Sequence, residues 1–362
     1  MKKLISLLCA LTLVLTMLSG CASAPAQSAE PTAAPVETAA PTEEPTPEPT
    51  AESTPEPAAE PVSMNIVALK GPTAMGMVQF MDQADSGALT DGNEYNFSIV
   101  AAIDEVPPML AKGEADIAAV PANLASVLYN NNEGAFQVLA INTLGVLYIV
   151  ENGESIQSVE DLRGKTIYAS GKGATPEYAL NYILTQSGID PETDVTIEWK
   201  SEHAECLSAL LAEENGIALL PQPFVTTAQA KNEGIRVALD LTKEWDALQA
   251  DAESPSAMLT GVVVVRRDFA ETHPEAVSAF LDHYKASVEF VNGNTEAAAA
   301  LVGKYDIVPE AVAVKAVPAC NITFIEGDEM QQKLSGYLAV LLEQNPKAVG
   351  GALPGDDFYY KR

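Results

Sequence analysis

Gly113-Glu114-Ala115-Asp116-Ile117-Ala118-Ala119-Val120-Pro121-Ala122-Asn123 is the stretch on which the fold turns. Residues 116–120 read as a short buried strand, and residues 123–130 as the helix that follows it. An apolar strand that runs directly into a helix is the repeating unit of a parallel sheet covered on both faces. The same rhythm appears upstream. Residues 64–69 read as a strand that ends in Lys70-Gly71-Pro72-Thr73 and leads into a helix over 74–83; residues 95–101 read as a strand and 107–112 as a short helix. Downstream, 136–142 is a strand and 145–150 continues as an extended segment.

A second series then begins. Ser158-Val159-Glu160-Asp161-Leu162 has the form of a capped short helix before a strand at 165–169. Helix 175–187, strand 195–199, helix 204–213, strand 217–220, helix 224–232 and strand 235–241 follow. Val262-Val263-Val264-Val265 lies in a fully apolar strand, 260–266. Residues 274–291, 296–305, 309–316 and 330–343 read as helices, so the chain is expected to end in an all-helical section that covers an existing sheet. Two α/β lobes, each a mostly parallel sheet flanked by helices, account for this order. The expected division is lobe 1 over 64–145, lobe 2 over 146–259, and a return to lobe 1 with the C-terminal helices over 260–362, joined by hinge crossovers near 143–151 and 259–266.

The first 63 residues are of another kind. Lys2 and Lys3 precede an apolar run, 4–18, that ends in Leu18-Ser19-Gly20-Cys21. A charged start, an apolar core and small residues before a cut form an export signal, read here as 1–20, and the run is shorter than the ~20 residues of a spanning helix. Its last four residues resemble the lipobox of bacterial lipoproteins, which implies acylation of Cys21 and anchorage to the outer face of the bacterial cell membrane. Each buried methylene of such an anchor contributes ~0.8 kcal/mol. The segment 21–63 then carries repeats such as Pro41-Thr42-Glu43-Glu44-Pro45-Thr46-Pro47-Glu48-Pro49, with eight glutamates and no lysine or arginine. It reads as a disordered acidic spacer that could reach on the order of 100 Å.

The whole chain has 50 acidic and 20 basic residues, a formal charge of -30. The body from Met64 onward keeps the acidic excess and has no basic stripe, which argues against nucleic-acid binding. Of four cysteines, Cys206 and Cys320 lie in the body and are read as buried free thiols, although an oxidising exterior would permit a disulfide.

The body resembles the solute-binding proteins of bacterial ABC importers, in the group that includes sulfonate, nitrate and thiamine-precursor binders. The resemblance rests on Ala68-Leu69-Lys70-Gly71-Pro72, the 113–121 stretch, Ser158 to Ile167, Ala218-Leu219-Leu220-Pro221-Gln222-Pro223, Val263 to Phe269, and His273-Pro274-Glu275-Ala276-Val277. It implies a type 2 periplasmic-binding-protein-like fold, a monomer that holds a small anionic or heteroaromatic solute between its lobes and delivers it to an ABC permease. A non-transport sensor feeding a membrane receptor is the rival reading.

In parallel α/β sheets, ligands bind beyond the carboxyl ends of the strands. Lys70, Gly71, Pro72, Thr73, Met75 and Gly76 are the first-lobe candidates, where glycine permits close backbone approach and a helix start offers unpaired amides; the alternative is a tight turn. Asn123 follows another strand and is equally a helix cap. Thr143-Leu144-Gly145 is expected to form hinge and cleft floor. In the second lobe, Ser170, Lys172, Gly173, Ala174 and Thr175 precede a long helix, with Thr175 as its cap and Pro176 at its first position. Gln222 sits at a further strand end, and Phe224 either stacks on a ligand ring or packs in the core. Lys70 and Lys172 are expected to face each other, either receiving an anion or remaining solvated.

Catalysis is not indicated. No Gly-x-Ser-x-Gly elbow or nucleophile-base cluster occurs, and neither a cofactor nor a metal is expected. His203 and Cys206, beside Glu202 and Glu205, offer too few ligands for zinc and read as an exposed polar face.

Overall fold

The computed structural model describes residues 61–250 and 256–362. The expectations for the signal peptide, for Cys21 and for most of the spacer lie outside the described residues.

The first lobe is entered through β1 (Ser63–Leu69), α1 (Pro72–Met75), α2 (Val78–Ser86), β2 (Glu94–Val100), α3 (Val106–Lys112), β3 (Ile117–Pro121), α4 (Ala122–Asn131) and β4 (Phe136–Leu144). The second contains β5 (Leu147–Glu151), β6 (Thr166–Ser170), α5 (Thr175–Gln186), β7 (Thr196–Lys200), α6 (His203–Ala212), β8 (Ile217–Pro221), α7 (Phe224–Lys231), β9 (Arg236–Asp240) and α8 (Leu241–Gln249). The chain then returns through β10 (Leu259–Arg266), α9 (Arg267–Thr272), α10 (Pro274–Gly293), α11 (Thr295–Lys304), α12 (Glu310–Ala316), β11 (Ile322–Ile325) and α13 (Gly327–Gln344).

Two sheets result, ordered β11-β4-β10-β3-β1-β2 and β7-β6-β8-β5-β9. In the first, β1 to β4 run one way and β10 and β11 run against them. In the second, β5 alone opposes the others. The opposed strands β5 and β10 are the crossovers: each enters its sheet from the edge that faces the other lobe.

Alternation explains the apolar runs. Ala118 and Val120 of β3 enter one core while Ile117 and Ala119 enter the other, and Val262/Val264 and Val263/Val265 of β10 divide the same way. A strand buried on both faces has no polar side to show. A third core lies under α6 and α7 and contains Cys206; Cys320 lies in the second, and both are buried free thiols.

Three elements depart from the sequence reading. The helix expected over 74–83 breaks into α1 and α2 at Gly76, where a Cβ would lie 3.1 Å from Ile322 Cγ2 and 3.2 Å from Val288 Cγ2. The C-terminal section is not all-helical: β11 pairs antiparallel with β4, matching Ile322 to Thr143 and Ile325 to Ile141. It has only four residues and an interrupted register, too little for a period to be read. The strand expected to 241 stops at Asp240, whose carboxylate accepts from Thr242 N at 3.1 Å and caps α8.

Helix α13 joins the lobes. Met330, Leu334, Tyr337, Leu338 and Leu341 share a core with Tyr178, Leu180, Ile183 and Trp245 of the second lobe. Trp245 stands between Tyr182 and Tyr337, with ring centroids 4.3 and 5.7 Å away, and donates its indole N–H to Ser256 Oγ at 3.0 Å.

Candidate functional site: an interlobe cleft

Strand direction brings the candidate loops together. In the first lobe, the carboxyl ends of β1, β3 and β4 share an edge with the start of β10. In the second, Ser170 is paired with Lys200, Pro221 with Leu147, and Tyr148 with Asp240, so these ends also share one edge. Because β4 passes into β5 through Gly145 and Val146, the two edges meet at the crossover. Asn321 Nδ2 donates to Gly145 O there, and Leu144 N donates to Asn321 O at 3.1 Å.

The second-lobe loop is more exposed than the Gly71 loop. Gly171 and Gly173 adopt φ of 82° and 80°, left-handed values that turn the loop after β6 back toward α5. Lys172 and Gly173 are exposed within it, and Ala174, rather than Thr175, is the N-cap of α5. Ser170 is buried, with its hydroxyl 2.5 Å from His203 Nδ1. The imidazole packs beside the Phe224 ring at 5.2 Å. Burial lowers its pKa to about 4, so it is neutral at physiological pH. Cys206 lies on the same helix, its thiol pushed up by burial, and donates to Glu202 O at 3.5 Å. The exposed polar face expected for His203 and Cys206 is therefore wrong: Cys206 is buried and His203 turns inward onto Ser170. Spacing alone cannot tell which face of α6 meets the sheet.

Several candidates have other commitments. The Lys70 ammonium pairs with Asp306 at 3.1 Å, so Lys70 and Lys172 are not two free cations facing each other. Gly71 starts α1 with φ 135°, and Pro72 occupies its first turn. Thr73 donates its hydroxyl to Leu69 O at 2.7 Å, and Met75 and Gly76 are enclosed in the first-lobe core. Asn123 is no cap; its amide donates to Ala348 O at 3.3 Å. Thr143 is fully buried, donates to Asn142 Oδ1 at 3.1 Å, and lies inside the sheet, so the crossover begins at Gly145. The Thr175 hydroxyl accepts from Tyr337 OH at 3.2 Å. Gln222 Oε1 accepts from Thr226 N at 3.3 Å and Thr226 Oγ1 at 2.9 Å, which turns the side chain along α7. His203 is the residue that sequence reasoning missed; its signal was its place at the start of a helix after a strand end.

No group of histidine, cysteine, aspartate and glutamate among the described residues could hold a metal ion, and no described helix is long and apolar enough to cross a membrane.

The family model described as ABC transporter, phosphonate, periplasmic substrate-binding protein matches residues 88–308. Among solved structures, an ABC transporter from Parabacteroides distasonis is similar at 22% identity with a TM-score of 0.70, covering 83% of this chain and 99% of that one. The periplasmic aliphatic sulphonate binding protein SsuA from Escherichia coli is similar at 16% identity and a TM-score of 0.65, covering 83% and 96%. The periplasmic nitrate-binding protein NrtA from Synechocystis is more distant, at 12% identity and 0.52, covering 75% of each chain. No curated protein matches the sequence.

Proposed function

Because the chain belongs to the phosphonate-type periplasmic substrate-binding proteins of ABC transporters, we propose that its interlobe cleft captures a small oxyanion, a phosphonate, sulfonate or related solute, and presents it to a membrane permease. The protein works as the solute-capturing component of an importer outside the cytoplasm. It acts by binding rather than by reaction, as a monomer held through acylated Cys21 on a long acidic spacer. Lobe 1 spans 64–145 and 260–362 in this reading, and lobe 2 spans 146–259.

The carrying observation is the Ser170-His203 pair beside the Gly171 to Ala174 loop. A neutral imidazole whose Nδ1 accepts the Ser170 hydroxyl proton carries its own proton on Nε2, where it can donate to an anionic oxygen. Lys172 adds a cation and α5 presents the favourable end of its dipole, although the Gly173 N–H is committed to Glu177 Oε2 and the Ala174 N–H to Gly171 O. Gly71 and Pro72 supply backbone from the other lobe. A ligand that touches both lobes favours the closed form through its differential affinity, and a micromolar ligand supplies ~8 kcal/mol for the purpose.

Thermal-shift and calorimetric titration with methylphosphonate, methanesulfonate, nitrate and thiamine precursors tests this. An oxyanion at about a hundred times its Kd stabilises the protein by ~2.7 kcal/mol. If none raises the melting temperature and scattering shows no compaction, the reading fails. For the anchor, Cys21→Ser is expected to release the protein from membranes or to block its processing; unchanged membrane association would refute acylation.

A further inference from the structure

A cavity of about 520 Å³ lies on the flank where α7 and β9 of the second lobe meet the α12 end of the first. Tyr148, Gln222, Val225 and Val237 form its second-lobe wall, and Lys315 and Ala319 come from the first. It shares no residue with the Gly71, Ser170 and His203 surfaces.

Gln222 and Thr226, each only 6% exposed, are the buried polar residues of this wall, and Gln229 lines it too. The Thr226 backbone N–H can only donate, so the amide oxygen of Gln222 is the atom that faces it and the amide nitrogen points elsewhere. That nitrogen has no hydrogen-bond partner among the described residues, and Gln222 lines the cavity. Lys315 brings an ammonium from the opposite lobe. The Tyr148 hydroxyl already donates to Ala319 O at 3.1 Å, which leaves its ring, with Val225 and Val237, as an apolar surface. Glu233 also lines the cavity and disfavours a dianion.

We propose that this cavity is a second binding site, for a small monocarboxylate with a branched apolar body. The carboxylate meets the Gln222 amide and the Lys315 ammonium, and the hydrocarbon lies on Tyr148, Val225 and Val237. Since both lobes form the walls, occupancy favours the closed form and is coupled to the oxyanion cleft.

Isovalerate is the probe, titrated into the purified protein by calorimetry. Binding is expected to weaken ~10-fold in Lys315→Gln, which removes an exposed charge. It is expected to vanish in Val237→Trp, which fills the cavity from its rim. Circular-dichroism melts check that both variants fold, and Lys315→Gln carries the test alone if the tryptophan variant does not. Absence of binding up to about 10 mM, or binding that the folded variants leave unchanged, overturns the proposal. Displacement of isovalerate by methanesulfonate overturns it too, because the carboxylate would then occupy the oxyanion cleft.

Discussion

Replacing Gly145 by alanine is expected to hold the lobes apart. The residue lies between the last residue of β4 and the first of β5, and a methyl there would overlap Thr242 Oγ1 and Met258 Cε and lie 3.2 Å from Thr242 Cβ. Met258 is 1% exposed and packed in the core, and Thr242 is held in the first turn of α8. The added carbon is therefore accommodated by displacing the crossover segments rather than by swinging a free side chain. Overpacking of this kind costs ~1–3 kcal/mol. If rotation of the lobes relieves it, the cost falls on the closed form alone and weakens solute binding by roughly 5- to 150-fold. Small-angle scattering without solute should show a larger radius of gyration than the parent, and calorimetry should show the weaker binding. Thr242→Ala added to Gly145→Ala should restore part of both. An alanine variant that melts earlier yet binds as tightly as the parent would refute the reasoning, because the strain would then be equal in the open and closed forms.

Four further outcomes follow from the geometry. Burial lowers His203 from 6.5 to about 4, so the unfolded chain binds more protons between those values; stability is full above pH ~6.5 and falls toward pH 4, by on the order of 2 kcal/mol given partial exposure. His203→Gln should flatten that slope in melting experiments, and an identical slope in both proteins would contradict a buried neutral imidazole. Tyr337→Ala should destabilise the protein by ~3–5 kcal/mol, because the ring fills a core shared by both lobes; urea unfolding with a loss of only a few tenths would contradict that. Lys70→Ala should change stability by less than ~1 kcal/mol and leave solute affinity intact, since its partner Asp306 is exposed. Lys172→Ala should weaken solute binding, and the reverse ranking of the two lysines would place the anion against the first lobe.

The architecture was legible because burial leaves a compositional trace. β3 and β10 read as buried strands since both of their faces enter cores, and β6 followed by a glycine turn and Pro176 announced the start of α5. β11 left no trace: four residues with an interrupted register carry no readable period. For the candidate site, the sequence placed loops at strand ends but not the contacts of their side chains. Gly71, Ser170 and Lys172 fell where strand ends require, but the partners that engage Lys70, Asn123 and Thr175 lie at Asp306, Ala348 and Tyr337, far along the chain. His203 likewise meets Ser170, 33 residues away. Local pattern places a loop at an edge; only the folded chain decides which of its polar groups remain free.

The packing of α13 against Trp245 has a consequence for how the protein is made. A chain emerges from its N-terminus, whether from a ribosome or through a translocation pore, so the second lobe is present in full before residues 330–341 arrive. Until then Tyr178, Leu180, Ile183 and Trp245 lack the side chains that complete their core. The last α-helix thus closes a core that the second lobe's own residues leave incomplete.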